Sequence, residues 1–172
     1  MRLLFEIDEE DYVKSDRRYE RPSVRSIVIR DNKVAMIHSG KYNYYTLPGG
    51  GIEPHESMLD ALCRETLEEA GLVVIRDSAV EFGYTHHVMP SVKEDMDIFI
   101  QDNYYYVCKA EDTLGEQVLD DYEADEHYTL EFVEASRAIS VNRTADHGER
   151  ECATIERESR VLEILINEGY LK

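Results

Sequence analysis

Tryptophan is missing from this chain, and in 172 residues there are only four phenylalanines, four prolines and three cysteines. The cysteines, Cys63, Cys108 and Cys152, are far apart, odd in number and contain no C-x-x-C element, which argues against a disulfide framework or a zinc site. Reduced and mostly buried thiols are expected instead. No apolar run reaches the roughly 18 residues that a spanning helix needs. The opening Met-Arg-Leu-Leu-Phe-Glu-Ile-Asp also lacks a signal-peptide layout, so a cytoplasmic protein without membrane contact is expected. Positive charge is scarce as well: 19 basic residues face 37 acidic ones, a net charge of −18. Such a surface repels a nucleic-acid duplex. Small phosphorylated compounds are less affected, because a bound cation reverses the local sign.

What is present is concentrated between Gly50 and Leu72, G-G-I-E-P-H-E-S-M-L-D-A-L-C-R-E-T-L-E-E-A-G-L. Pro48 followed by Gly49, Gly50 and Gly51 predicts a tight loop. A helix follows, with Ser57 as its cap, Asp60 in its first turn and Gly71 as its stop. Leu59, Leu62, Cys63, Thr66 and Ala70 make its apolar stripe. Glu65, Glu68 and Glu69, at i, i+3 and i+4, are expected to converge on a different side, where like charges repel. Solvent is one compensation. A divalent cation is the other, since carboxylates beside a glycine loop form an all-oxygen site suited to Mg²⁺ or Mn²⁺ with positions left for phosphates.

The spacing G-x5-E-x7-R-E-U-x-E-E-x-G-U, with U bulky and apolar, resembles the signature box of the Nudix (MutT-like) hydrolases. The one departure is Thr66 at the first U. The resemblance implies an α/β Nudix fold, a mixed sheet sandwiched between helices. It implies Glu65, Glu68 and Glu69 as ligands of Mg²⁺ or Mn²⁺, joined by a main-chain carbonyl of Gly49 or Gly50. It makes Glu56 and Arg64 a structural ion pair. Family members also supply a further carboxylate from upstream of a late strand carrying an aromatic. Here that strand is Leu130 to Val133 with Phe132, and Glu126 is nominated, with Asp125, Glu123 and Glu131 as competitors.

Along the rest of the chain, one domain over 1–172 is expected, with 1–20 an N-terminal addition and candidate homodimer contact. Val24 to Arg30 and Lys33 to His38 read as a hairpin turned at Asp31-Asn32. Arg25 and Lys41 are candidate phosphate contacts. Val73 to Arg76, Val80 to Tyr84 and Tyr104 to Ala110 read as strands, with Thr85 to Asn103 an irregular, substrate-facing loop. His86 and His87 are adjacent, so they do not make a two-histidine metal site. A short helix is expected from Glu134 to Ile139 and a long one from Asp146 to Leu171. The tyrosines at 42, 44, 45 and 104–106 suit either base stacking or sheet packing.

The expected reaction is hydrolysis of the diphosphate linkage of a nucleoside diphosphate joined to X: a nucleoside triphosphate, an ADP-ribose-like compound or a nucleotide sugar. Glu65, Glu68, Glu69 or Glu126 would act as base. A nucleotide sensor that keeps the fold without hydrolysis is the alternative. Pro90 is a faint pointer to ADP-ribose.

Overall fold

The computed structural model describes residues 1–150 and 152–172. Its main sheet has eight strands. Six are in the order β1 (Leu3–Asp8), β7 (Val80–Pro90), β8 (Ile98–Cys108), β3 (Ser23–Arg30), β4 (Lys33–Ser39) and β10 (Tyr128–Val133). β2 (Arg18–Glu20) adds to β8, and β5 (Tyr44–Thr46) adds to β4. The sheet is mixed: β8 runs parallel to β3 and antiparallel to β7, and β1 runs parallel to β7. A second ribbon pairs β6 (Leu72–Val74) with β9 (Ala110–Leu114).

Alternation along β3 and β4 explains the layers. Ile27, Val34 and Met36 meet α3 (Ala135–Thr144) and α4 (Cys152–Asn167) in one core that also holds Val161, Leu162 and Leu165. Val24, Val28, Ala35 and Ile37 belong to clusters shared with α1 (Met58–Ala70), where Ala61, Leu62 and Ala70 are buried. Each fully buried Leu or Ile contributes about 1.5–3 kcal/mol. This is the expected helix–sheet–helix sandwich. Among the described residues no helix is long and apolar enough to cross a membrane.

Several boundaries differ from expectation. The segment 85–103 is no irregular loop: β7 runs to Pro90 and β8 begins at Ile98, with His86 opposite Asp102 and Val88 opposite Ile100. Its inward positions carry Thr85, His87 and Met89, so the period of two was hidden behind polar side chains. His87 is fully buried against Glu9 at 2.6 Å, while half-buried His86 pairs with Asp102 at 2.7 Å. The strand expected over Val73 to Arg76 stops at Val74, and a 3-10 turn covers Arg76–Ser78. The terminal helix is shorter than Asp146 to Leu171. Residues 145–150 form turns, Glu151 lies outside the described residues, and Tyr170 N–H closes the far end on Leu165 O. The short helix expected from Glu134 to Ile139 instead starts at Ala135 and continues to Thr144. Of the thiols only Cys108 is buried, and burial pushes it up to about 12; Cys63 is half-buried and Cys152 exposed.

Candidate functional site

The glycine loop and α1 set the site. Gly49 has φ 142°, and a Cβ there would fall 2.0 Å from Val24 O, so only glycine lets the loop press against β3. Val24 N–H donates to Gly50 O at 2.9 Å and Ser26 N–H to Pro48 O at 2.8 Å, which fixes the loop to that strand. Ser57 Oγ accepts from Asp60 N–H at 3.1 Å as a true N-cap, worth about 1 kcal/mol. Gly71 closes the helix in the left-handed conformation.

Arg64 ties loop to helix. It grips Glu56 with two bonds, 2.9 and 2.8 Å, and donates to Gly51 O at 3.1 Å, holding the Glu56 carboxyl below its ordinary range. The same guanidinium reaches Glu65 at 2.7 Å and Glu68 at 3.0 Å. Glu69 takes a different position. It stands seven residues, two helical turns, beyond Leu62, hence on the buried face and not on a separate acidic one. It is 4% exposed and accepts one hydrogen bond, from Gly49 N–H at 2.8 Å. Burial pushes its carboxyl well up, against the pull of Arg25 and of that N–H. Burial raises Glu65 as well, opposed by Arg64.

A segment after β9 completes the site. Gly115 N–H, Gln117 Nε2 and Val118 N–H donate to the carbonyls of Gly71, Glu69 and Glu68 at 2.7, 2.6 and 3.0 Å. These bonds satisfy acceptors left open at the end of α1. They also bring Asp120 and Glu123, the latter on the short helix α2 (Asp121–Asp125), to the α1 acids. Together Glu65, Glu68, Glu69, Glu123 and Arg21 line a cleft of about 230 Å³.

The structure sorts the nominated residues. Glu65, Glu68 and Glu69 line the cleft, Arg64 spans its edge, and Glu56 anchors it from behind. Glu126 does not line it. That carboxylate is 4% exposed, accepts from Ser39 and Tyr44 hydroxyls at 3.1 and 2.8 Å, and pairs with Arg150 at 3.4 Å. Lys41 is also elsewhere, paired with Asp125 at 2.6 Å on the surface. Arg25 lies behind the loop, donating to Leu47 O at 3.1 Å, and the nearby Glu158 and Glu69 carboxylates hold its charge despite burial. Gly49 O makes no hydrogen bond among the described residues, whereas Gly50 O is held by Val24. Thr66 is fully buried with its hydroxyl unpartnered. Tyr44, Tyr45, Tyr105 and Tyr106 are buried and serve packing, while Pro90 pairs with Ile98 at the end of β7.

The sequence reading missed Arg21 and Asp120, and it ranked Glu123 only as a competitor of Glu126. Glu123 had a signal: Asp120 and Glu123 stand at helix-capping spacing, and Asp120 N–H donates to Glu123 Oε2 at 2.8 Å. For Arg21 there was none, since it reaches the cleft through the pairing of Ser23 with Gly51.

The NUDIX domain model matches residues 20–153, more than half of the sequence. The chain belongs to the Nudix family. This Nudix protein is 35% identical over 71 residues to the 8-oxo-dGTP diphosphatase of Buchnera aphidicola, an alignment covering 40% of this chain and 56% of that one. In fold it is similar to the MutT NUDIX hydrolase from Burkholderia pseudomallei, with TM-score 0.56, 20% identity and 84% and 97% of the two chains covered. A MutT structure from work on Aliivibrio salmonicida and Vibrio cholerae gives TM-score 0.55 at 16% identity, covering 87% and 99%. The family acts on pyrophosphate bonds of small nucleotides and generally with divalent metals.

Whether the residues suit such a metal is a question of donors. As they stand, no three acids, histidines or cysteines among the described residues converge as ligands, because Glu65 and Glu68 are turned onto Arg64. The donor chemistry nevertheless fits. Six carboxylates, those of Glu53, Glu65, Glu68, Glu69, Asp120 and Glu123, line one cleft, Glu69 has an oxygen in excess of its single donor, and Gly49 O is uncommitted. Glu65 and Glu68 need only release one guanidinium, which Glu56 still holds.

Proposed function

We propose that this Nudix protein is a Mg²⁺- or Mn²⁺-dependent pyrophosphohydrolase that cleaves the diphosphate of a nucleoside diphosphate linked to X. The observation that carries this reading is the meeting of Glu65, Glu68 and Glu69 with Glu123, from a separate segment, in one cleft. Each uncompensated carboxylate about 4 Å from a phosphate oxygen opposes binding by about 4 kcal/mol at an effective dielectric of about 20. Arg21 and Arg64 offset only part of that. A divalent cation held by Glu65, Glu68, Glu69, Glu123 and Gly49 O would neutralise the diphosphate and acidify a bound water.

The chain's own groups do the rest. Gly49 N–H fixes one oxygen of Glu69, leaving the other for the cleft. Arg64, anchored by Glu56, keeps the helix acids and the loop in register. Glu69 and Glu123 are the two candidates for taking a proton from the attacking water. Arg21 meets the phosphate that leaves. Oxidised purine nucleoside triphosphates belong in the substrate panel, alongside ADP-ribose and nucleotide sugars, because the Buchnera relative is named for one.

The test is turnover of that panel with Mg²⁺, with Mn²⁺ and with EDTA. Activity lost in chelator and restored by either ion supports the reading; undiminished turnover in EDTA overturns it. A nucleotide sensor without hydrolysis has one observation in its favour, the hold of Arg64 on Glu65 and Glu68. Tight metal-dependent binding of an uncleaved nucleotide in a single-turnover experiment would decide for it.

A further inference from the structure

Beyond the cleft, the same sheet face carries a second concavity covered by the N-terminal segment. It has a volume of about 290 Å³, an apolar floor of Val88, Ile98 and Ile100, and a rim that includes Lys14 and Arg18. The covering segment is fixed. Arg17 donates to Asp97 at 2.9 Å, Asp97 N–H returns to Arg17 O at 2.9 Å, and β2 pairs with β8 from Ile98 to Ile100. The rim hydroxyls are committed, Ser15 to Asp97 and Tyr12 to Asp8. The side chains of Lys14 and Arg18 are not: neither makes an ion pair or hydrogen bond with any described residue. In a chain of net charge −18, two such cations over one pocket point to an anionic ligand.

The same stretch of chain serves pocket and cleft, Arg18 lining the one and Arg21 the other. A smaller hollow lined by Glu20, Pro22, Asp102 and Tyr104 shares the Ile100 wall. Arg18 and the cleft residue Arg21 are three residues apart, about 10 Å of extended chain. That span is about the length of a nucleoside. Resting on the hydrolase reading above, we propose that the pocket is a second phosphate subsite for the far end of the substrate. A sugar or base lies on Val88, Ile98 and Ile100, and a phosphate separate from the cleaved diphosphate sits between Lys14 and Arg18. The substrate class is thereby a nucleoside diphosphate derivative carrying an additional phosphate about 10 Å from the scissile bond, beyond one nucleoside.

The probe is 5′-AMP, titrated against adenosine and inorganic phosphate in EDTA, with binding read from backbone amide shifts. AMP should move residues 14–20 and 98–102 and bind at least about tenfold more tightly than adenosine or phosphate alone. The Lys14→Ala/Arg18→Ala variant should weaken AMP by at least about tenfold with adenosine unchanged. Both side chains are exposed, so its melting temperature should match the parent's. Shifts confined to residues 49–69, or a double variant that binds AMP as the parent does, overturns the subsite. Should the subsite bind AMP while no nucleotide is hydrolysed with any metal, the hydrolase reading fails and the pocket stands.

Discussion

Glu123 and Glu126 sit three residues apart around one short helix and end in opposite circumstances. Glu123 opens onto the cleft with one donor on each oxygen, Asp120 N–H and the Tyr122 hydroxyl. Glu126 is held by Ser39, Tyr44 and Arg150 and does not line the cleft. Both are 4% exposed, so burial alone does not distinguish them. What differs is charge: Glu126 is paired with a cation, whereas Glu123, held by two neutral donors, faces other carboxylates. A carboxylate paired with a cation is a fastener, and one crowded with its like is held for something that will bring positive charge.

The first way to break that contrast is Glu69→Gln. It removes charge from the most enclosed cleft acid while leaving an oxygen to accept from Gly49 N–H. Turnover should fall by at least about two orders of magnitude with the fold retained, as read by kcat and circular dichroism. A folded, fully active variant would remove the helix acids from the chemistry. Next, Glu123→Gln should cost about ten- to a hundredfold in kcat, and Glu126→Gln less than about threefold. The latter should instead lose about 1–3 kcal/mol of stability in urea, because Arg150 is left without its partner. If the two variants exchange phenotypes, neighbouring charge is a poor guide and the chemistry belongs with Glu126.

Much of this was legible in the sequence because the decisive contacts are local. Ser57, Glu56, Arg64 and Gly71 act within one loop and helix, so their spacing suffices. The position of Glu69 was legible too, by counting two turns from Leu62, but acidic spacing drew attention away from the helix's burial. The β7–β8 hairpin was obscured because Thr85 and His87 occupy inward positions where aliphatic residues would have announced it. Glu123 was legible only as one acid among several near Glu126; its meeting with the α1 acids, like that of Arg21, comes through long-range backbone pairing, of Val118 with Glu68 and of Ser23 with Gly51, which no window of sequence contains.

A smaller effect tests whether the one departure from the box is only structural. Thr66 is fully buried on α1 with an unpartnered hydroxyl, an arrangement that costs about 1–3 kcal/mol. Thr66→Val keeps the branched shape and deletes the hydroxyl. Melting should show a gain of about 1 kcal/mol with kcat unchanged. A loss of stability would mean that the hydroxyl is engaged.

The smallest expected effect concerns a fastener far from the cleft. Ser15 and then Arg17 hold the Asp97 carboxyl below its ordinary value, the reverse of Glu65 and Glu69, which burial raises. With its folded value depressed, Asp97 contributes its stabilisation above the ordinary carboxylate range and loses it as pH falls through the depressed value. Amide exchange at Asp97 and Ile98, whose N–H groups both donate to Arg17 O, should therefore stay protected down to about pH 4 and open below it. In Asp97→Asn the same amides should exchange faster than the parent's above about pH 4 and at about the parent's rate below it. Protection that ignores pH in the parent would show that β2 is held by backbone pairing alone, and the walls of the second pocket would then owe nothing to this carboxylate.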